Sequence, residues 1–275
     1  MQAEIEHAIA GEMTPEESRR TFDRFMRHLN AGDYRAAEPA PGTPTGWKVN
    51  AWVKQGILLG FRLGHLHDFP AAGGQHFFDK GTFPVKPLHL EDGVRVVPGG
   101  SSIRTGAYVA KGVVCMPPMY INVGAYVDEN TMVDSHALVG SCAQVGKRVH
   151  LSAAAQIGGV LEPVGAMPVI IEDGVLVGGN AGVYEGTVVK QNAVLGTGTL
   201  LNRSTPVYDL VRETVHRATD ELPLIIPEGA VVVPGARRVS HPKGEEWGLS
   251  LLTPVIIKYR DEKTGDRVQL EELLR

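Results

Sequence analysis

Two cysteines in 275 residues leave no material for a disulfide framework or a zinc-binding thiol quartet. The chain carries no block of Lys and Arg. With a net charge of −4 and a pI near 6.2, it has none of the basic surface a nucleic-acid partner would require. No stretch approaches the roughly 18 consecutive apolar residues of a membrane span. The opening MQAEIEHAIAGEM is acidic and has no basic start followed by an apolar run, so a secretory signal peptide is not expected. These absences point to a cytoplasmic protein without membrane or nucleic-acid partners. Glycine, in contrast, is plentiful: 33 residues exceed the usual share of about 7 %.

The glycines follow a beat. From Val97, every sixth residue is apolar: Ile103, Val109, Cys115, Ile121, Val127, Val133, Val139, Val145, Leu151 and Ile157. The beat returns in a new phase at Ile171, Val177, Val183, Val189, Leu195 and Leu201. A period of six matches neither a helix nor an ordinary alternating strand. It does match a solenoid of short strands joined at regular corners. Two residues before each apolar position stands a small residue, as at Ala107, Ala125, Thr131, Ala137, Ala181 and Thr199. Three residues after it Gly or Asn recurs, as at Gly106, Gly112, Gly124, Asn130, Asn180, Gly186 and Asn192. Those two residue types tolerate the positive φ of a tight corner. The expected core is a three-sided prism of about six coils, each of about eighteen residues. Cys115 sits in the axial column as a small apolar residue, and Cys142 falls at a corner.

Around this core the pattern changes. Thr14-Pro15-Glu16-Glu17 reads as a capped helix start, with Phe22, Phe25, Met26 and Leu29 on one face and a stop near Asn30 to Gly32. Pro39, Pro41 and Pro44 suggest a stiff linker, and Trp47 to about Leu63 a second helix. Residues 64–90 look irregular. Residues 1–90 are therefore expected to form a small helical domain covering one end of the prism, since open coil ends expose unpaired strand edges. The coils span residues 91–240, interrupted by a bulge at Leu161 to Pro168 and a polar excursion over 203–224. Coiling is expected to resume at Ile226. A C-terminal segment, 241–275, contributes a strand at Val255 to Arg260, a turn at Lys263 to Gly265 and a helix from Gln269 to Arg275.

Several blocks carry a closer likeness. They are Val94 to Pro98 (VRVVP), Tyr120 to Glu129 (YINVGAYVDE), Thr131 to Asp134 (TMVD), Val139 to Lys147 (VGSCAQVGK) and Gly158 to Pro163 (GGVLEP). With them the chain resembles the tetrahydrodipicolinate N-succinyltransferase family of hexapeptide-repeat acyltransferases. The resemblance implies a mainly β fold, a left-handed parallel β-helix with a small N-terminal α-helical domain, assembled as a homotrimer with active sites between subunits. Handedness and trimerisation come from the resemblance alone, since right-handed crossovers are the general rule. The implied reaction transfers a succinyl group from succinyl-CoA to the amine of the ring-opened substrate, in the succinylase branch of diaminopimelate and lysine biosynthesis. No metal is expected.

The chemistry sets requirements on residues. An amine attacking a thioester must shed a proton to a carboxylate or His. Asp134, outward-pointing after axial Val133, matches the family's substrate-contacting aspartate. A dicarboxylate acceptor needs cations, and Arg95 matches the family's substrate-binding arginine. Many family members carry a glutamate where this chain has Gly182, which leaves Glu185 as a substitute catalytic acid. His136 admits a general-base reading, although a His at a positive-φ corner fits as well and is preferred here. Gly158, Gly178 and Gly196 would let a pantetheine arm approach the backbone. Arg237, Arg238 and Lys243, read as a Gly/Pro-bearing loop, suit either CoA phosphates or plain solvation.

Three rival readings are weaker. Another hexapeptide acyltransferase, using acetyl-CoA or a different amine, remains the nearest alternative. A zinc-dependent carbonic anhydrase on a similar prism needs several His at coil spacing, whereas His136 and His150 are fourteen apart. A non-catalytic scaffold or ice-binding surface would show an outward row of Thr or Ser. The outward positions here are mixed: Arg104, Met116, Asn122, Asp128, Asp134 and Ser152.

Overall fold

The computed structural model describes residues 1–70, 74 and 76–260. Its core is a left-handed parallel β-helix of two-residue strands. Successive coils pair eighteen residues apart, as in Val127↔Val145 and Val133↔Leu151. Each coil visits three faces in turn. The first face contains Val114–Cys115, Met132–Val133 and His150–Leu151. The second contains Tyr120–Ile121, Leu138–Val139 and Gln156–Ile157. The third contains Tyr126–Val127, Gln144–Val145 and Ile170–Ile171. From Ile103 onward, all the apolar beat positions are buried in one continuous axial core, together with the small residues beside them. Thr131 shows how a polar member fits: its Oγ donates to the Gly146 carbonyl at 2.7 Å and accepts from the Val149 N–H. Burial pushes the Cys115 thiol up to about 12, consistent with an inert filler of the axis.

The corners behave as the Gly and Asn column requires, with φ of 85° at Gly106, 57° at Asn130 and 56° at Asn180. Four middle corners reach the same conformation without those residue types: His136, Cys142, Arg148 and Ala154 have φ between 52° and 67°. The ladder hydrogen bonds above and below impose the left-handed backbone there against its intrinsic cost of about 1–2 kcal/mol.

The first beat differs from expectation. Val96, not Val97, stands opposite Cys115, so the register is off by one at the open end and the axial column begins at Ile103. Residues 84–94 shield that end: Leu88 and Val94 pack against the axial core, and the Lys86 N–H donates to the Ile103 carbonyl at 2.7 Å.

Contrary to the expectation that the helical segments cover one end of the prism, they pack along its side. Helices α1 (Gln2–Ala10), α2 (Pro15–Ala31) and α3 (Ala51–Leu63) lie along the edge where the second face turns into the third. Their core of Phe22, Phe25, Leu29 and Ile57 includes the corner residues Val123 and Cys142. Gly106 belongs to the same corner column, and a Cβ there would sit 2.8 Å from both Met26 and Val123. Apolar corner residues stacked coil on coil offer the helices a stripe to bury, and that lateral burial decided the placement. The capping box holds: the Glu17 N–H donates to Thr14 Oγ at 3.2 Å, and the Thr14 N–H to Glu17 Oε2 at 2.9 Å.

The linker between the helices is not a plain proline stretch. Ala37–Pro39 pairs antiparallel with Trp47–Val49, so α3 begins at Ala51 rather than Trp47. Trp47 is therefore a strand residue, and its indole N–H donates to Glu172 on the prism at 2.8 Å, clamping the hairpin to the third face. Residues 64–90 likewise contain a hairpin, Leu66–Pro70 against His76–Lys80, anchored where Arg104 meets Asp79 at 2.5 Å.

Both interruptions leave the same second-to-third edge. The loop 161–168 departs after Gln156–Ile157 and rejoins at Ile170–Ile171. The excursion departs after Leu200–Leu201 and rejoins at Ile225–Ile226. It is less polar than expected at its roots, since Val207 and Leu224 are buried in the axial core, and it folds into a hairpin of Val207–Asp209 and Thr214–His216. Beyond the last coil, Ala230–Arg238 pairs antiparallel with Ser250–Tyr259 in a long ribbon. The terminal strand is therefore longer than Val255 to Arg260. Arg237 and Arg238 stand on this ribbon and Lys243 on the short helix α4 (Pro242–Glu246), not in a loop, because the prism's first face supplies a template that the ribbon extends. The anticipated turn at 263–265 and helix at 269–275 lie outside the described residues.

Candidate active site

The coil order assigns the sequence-derived candidates to two separate edges. Asp134 follows the first-face strand Met132–Val133 and begins the edge between the first and second faces. Gly178 and Gly196 occupy the same corner position in later coils, after Leu176–Val177 and Val194–Leu195. The ribbon bearing Arg237 leaves from this edge as well. Gly158 and Glu185 belong to the other edge, between the second and third faces. One chain therefore does not bring Asp134 and Glu185 together, because the whole second face separates them.

On the first edge, Asp134 is half-buried, and its Oδ1 accepts the Ser135 N–H at 2.7 Å. The second carboxylate oxygen has no hydrogen bond among the described residues. Arg95 is exposed on Arg95–Val96, in the same ten-stranded sheet as Asp134 and two strands away. With two strand steps of about 4.8 Å and an offset of two residues along the strand, the two roots lie roughly 12 Å apart, a separation that the Arg95 side chain and a small dicarboxylate together can span. His136 turns the corner next door with φ 62°, its backbone N–H donating to the Pro118 carbonyl and its own carbonyl accepting from Gln156. Its backbone thus performs the corner role favoured from the sequence. The glycines on this edge have reasons internal to the coil: a Cβ on Gly178 would lie 2.6 Å from the Thr197 nitrogen, and one on Gly196 3.2 Å from the Val232 carbonyl.

On the second edge, the loop 161–168 and the excursion enclose a cleft of about 930 Å³. Gly158, Glu162, Tyr184, Glu185, Arg203 and Glu221 are among its lining residues. Glu185 has φ 54°, and its Oε2 accepts the Arg203 N–H at 2.8 Å. One oxygen is thereby committed to closing the corner. The ring of Tyr184 covers Gly182, where a Cβ would meet Tyr184 Cε2 at 2.4 Å. An acid at position 182 would have to displace that ring.

Tyr184, Arg203 and Glu221 were not singled out from the sequence. A signal existed for Arg203: it lies eighteen residues after Glu185, which places it one coil on at the same corner. Glu221 carried none, because it sits inside the irregular excursion. The ribbon's Arg237 has a buried Nε with no hydrogen-bond partner among the described residues, beside exposed Arg238. Lys243 is tied to Glu246 at 2.7 Å. The Cys142 thiol is pushed by burial up to about 12, so neither cysteine offers a thiolate nucleophile at neutral pH. Among the described residues no group of three or more His, Cys, Asp and Glu is placed to hold a metal ion, and no helix is long and apolar enough to cross a membrane.

Comparison with known proteins adds to this geometry. Residues 1–63 match the family described as tetrahydrodipicolinate N-succinyltransferase N-terminal, and residues 168–203 match the hexapeptide repeat of succinyl-transferase. A 2,3,4,5-tetrahydropyridine-2,6-dicarboxylate N-succinyltransferase from Bradyrhizobium diazoefficiens is 44% identical over 269 residues, covering 95% of this chain and 92% of its own length. The protein of the same name from Paraburkholderia phymatum is 43% identical over 271 residues, covering 97% and 93%. The solved structure of a candidate 2,3,4,5-tetrahydropyridine-2-carboxylate N-succinyltransferase from Campylobacter jejuni shares the fold at TM-score 0.50 and 16% identity, covering 86% of this chain and 62% of that one.

Proposed function

Because this chain belongs to the tetrahydrodipicolinate N-succinyltransferase family, we propose that it moves a succinyl group from succinyl-CoA to the amine of ring-opened, hydrated tetrahydrodipicolinate. This is the succinylase step toward diaminopimelate and lysine, and its setting is the cytoplasm. In the reaction the amine nitrogen bonds to the thioester carbon, the C–S bond breaks, and CoA leaves as the thiol. Asp134 takes the proton that the attacking nitrogen sheds. Arg95 holds a carboxylate of the acceptor through its guanidinium fork. Backbone N–H groups along the glycine-bearing corners stabilise the developing oxyanion, and Arg237 and Lys243 meet the phosphates of CoA.

The observation that carries the assembly is the division of the candidate acids between two edges of one prism. A site containing both Asp134 and Glu185 forms only when the first edge of one subunit faces the second edge of its neighbour, as in a cyclic trimer. The uncovered faces suit such contacts. Val114, Met132, Leu176 and Val194 stand half-buried on the first face and Leu138 on the second, where Leu200, three strands further along, is 45% exposed. The third face is already covered by the Trp47 hairpin and by Arg35, whose guanidinium stacks 3.7 Å over Tyr126.

Thiol release from succinyl-CoA with 2-aminopimelate as stand-in acceptor tests the activity. Faster release with acetyl-CoA would favour the alternative donor. Subunit mixing tests the shared site. Asp134→Asn and Glu185→Gln are each expected to be inactive alone, yet an equimolar refolded mixture should regain roughly a quarter of wild-type turnover, since random exchange rebuilds that fraction of inter-subunit sites. A mixture that stays inactive would place both acids in one subunit's site, and an active Glu185→Gln alone would remove Glu185 from it.

A further inference from the structure

Lys54 is the anomaly of the helical segments. Its side chain is 0% exposed, on the face of α3 that packs against the prism. A buried ammonium is ordinarily paired with a carboxylate, because desolvating an unpaired charge is costly. Among the described residues none pairs with Lys54. Its ionisable neighbour is Cys142, whose thiol is kept neutral by burial. Its Nζ instead donates to the Ala166 carbonyl at 2.6 Å, 112 residues along the chain.

Ala166 stands in the loop that walls the second-edge cleft, together with Glu162, Pro163, Gly165 and Met167. Inside the loop the Ala166 N–H closes a turn on the Pro163 carbonyl at 2.9 Å. The outer side of the loop faces the cleft opposite Tyr184 and Glu185, while the carbonyl of its turn faces inward to α3. A charge-assisted bond to a neutral carbonyl is short and directional. An apolar side chain of the same length would fill the space at lower desolvation cost, so the charge is not explained by packing.

The geometry points to Lys54 as a positioning residue: its buried ammonium holds the Ala166 carbonyl and thereby fixes the loop 161–168 as a rigid wall of the cleft beside Glu185. This assignment rests on the reading of that cleft as part of the acyl-transfer site. The helical segments then do more than bury an edge of the prism, because they set the shape of a catalytic wall from behind.

The test is Lys54→Met in the full-length protein, with hydrogen exchange and kinetics read together. Peptides covering 161–168 should exchange at least about tenfold faster, while axial strands such as 144–157 keep their protection and Tm is unchanged or higher. With succinyl-CoA, kcat should fall about tenfold and KM for either substrate by no more than about threefold either way, since a displaced wall misaligns reacting groups more than it weakens binding. Unaltered exchange over 161–168 would overturn the assignment. So would faster exchange with wild-type kcat. If the wild-type protein transfers no acyl group yet the loop still loosens in the variant, the tie stands and the activity reading falls. Should Lys54→Met not fold, Lys54→Gln decides: its neutral donor should leave exchange of the loop between wild type and full opening, and fully wild-type exchange would again overturn the role.

Discussion

The two edges of the prism that carry the candidate residues are built from the same repeat but differ in nearly everything attached to it. At the first-to-second edge the corners stay regular, and Asp134, Gly178 and Gly196 stack as bare repeat positions. At the second-to-third edge the repeat is twice interrupted, and three helices pack along the corner stripe of Val123 and Cys142. The difference shows how a solenoid divides its labour. A regular edge holds a few side chains at fixed spacing, whereas an interrupted edge builds walls, and a cleft needs both.

The contrast is broken most sharply by Asp134→Asn. If the regular edge supplies the proton acceptor, turnover should fall by at least about a hundredfold, with Tm and CoA binding nearly unchanged. Near-normal turnover in the thiol-release assay would remove Asp134 from the mechanism. A smaller effect is expected of Arg95→Ala on the same edge: KM for the amine acceptor should rise about tenfold, the loss of a charged hydrogen bond of roughly 1.5–3 kcal/mol. Saturation curves in which only kcat falls would assign Arg95 another task.

The smallest expected effect sharpens the other edge. Asp209 roots the excursion, fully buried at its side chain. Burial by itself would raise the pKa of its carboxyl, but donors outweigh that. Tyr259 Oη at 2.6 Å, the Arg212 and Val211 N–H groups at 2.9 Å and His216 Nε2 at 3.4 Å together hold it below the ordinary 3.8. A depressed carboxylate stabilises the fold above its unfolded pKa, and that stabilisation is lost as pH falls through the folded value. Asp209→Asn should therefore cost about 1–3 kcal/mol at pH 7, and the Tm gap to wild type should shrink as pH drops below 3.8. A gap independent of pH would mean the network is held by packing and not by charge.

Much of the core was legible because each beat residue meets the same surroundings one coil later. Val127, Val133 and Val139 share the axis, and Ile226 resumes it after the excursion, with Val232 six residues on. The register at Val96 was not legible, since an open end has no preceding coil to enforce the phase. The hairpins at 66–80 and 37–49 were hidden because their strands are short and their stability comes from distant partners. Arg104 reaches Asp79 from one coil, and Glu172 receives the Trp47 indole from another. Of the candidate site, Asp134 and Arg95 stand in blocks that carry the family likeness, and Glu185 is offered only as a substitute for the acid missing at Gly182. Their distribution over separate edges emerged only when coils were counted around three faces. Lys54 carried no signal, because a lysine in an amphipathic helix reads as solvated until Ala166 is found above it.

The sequence alone determined the prism: a six-residue period of aliphatic, small and corner residues satisfies backbone and core at once, coil after coil, by local rules. Tertiary structure decided where the helices lie, which corners adopt positive φ without Gly or Asn, and what encloses the cleft. The corners depend on bonds to the neighbouring coil, and the helices and the cleft wall on contacts between residues fifty to more than a hundred positions apart, whose energy exists only after the coils have stacked.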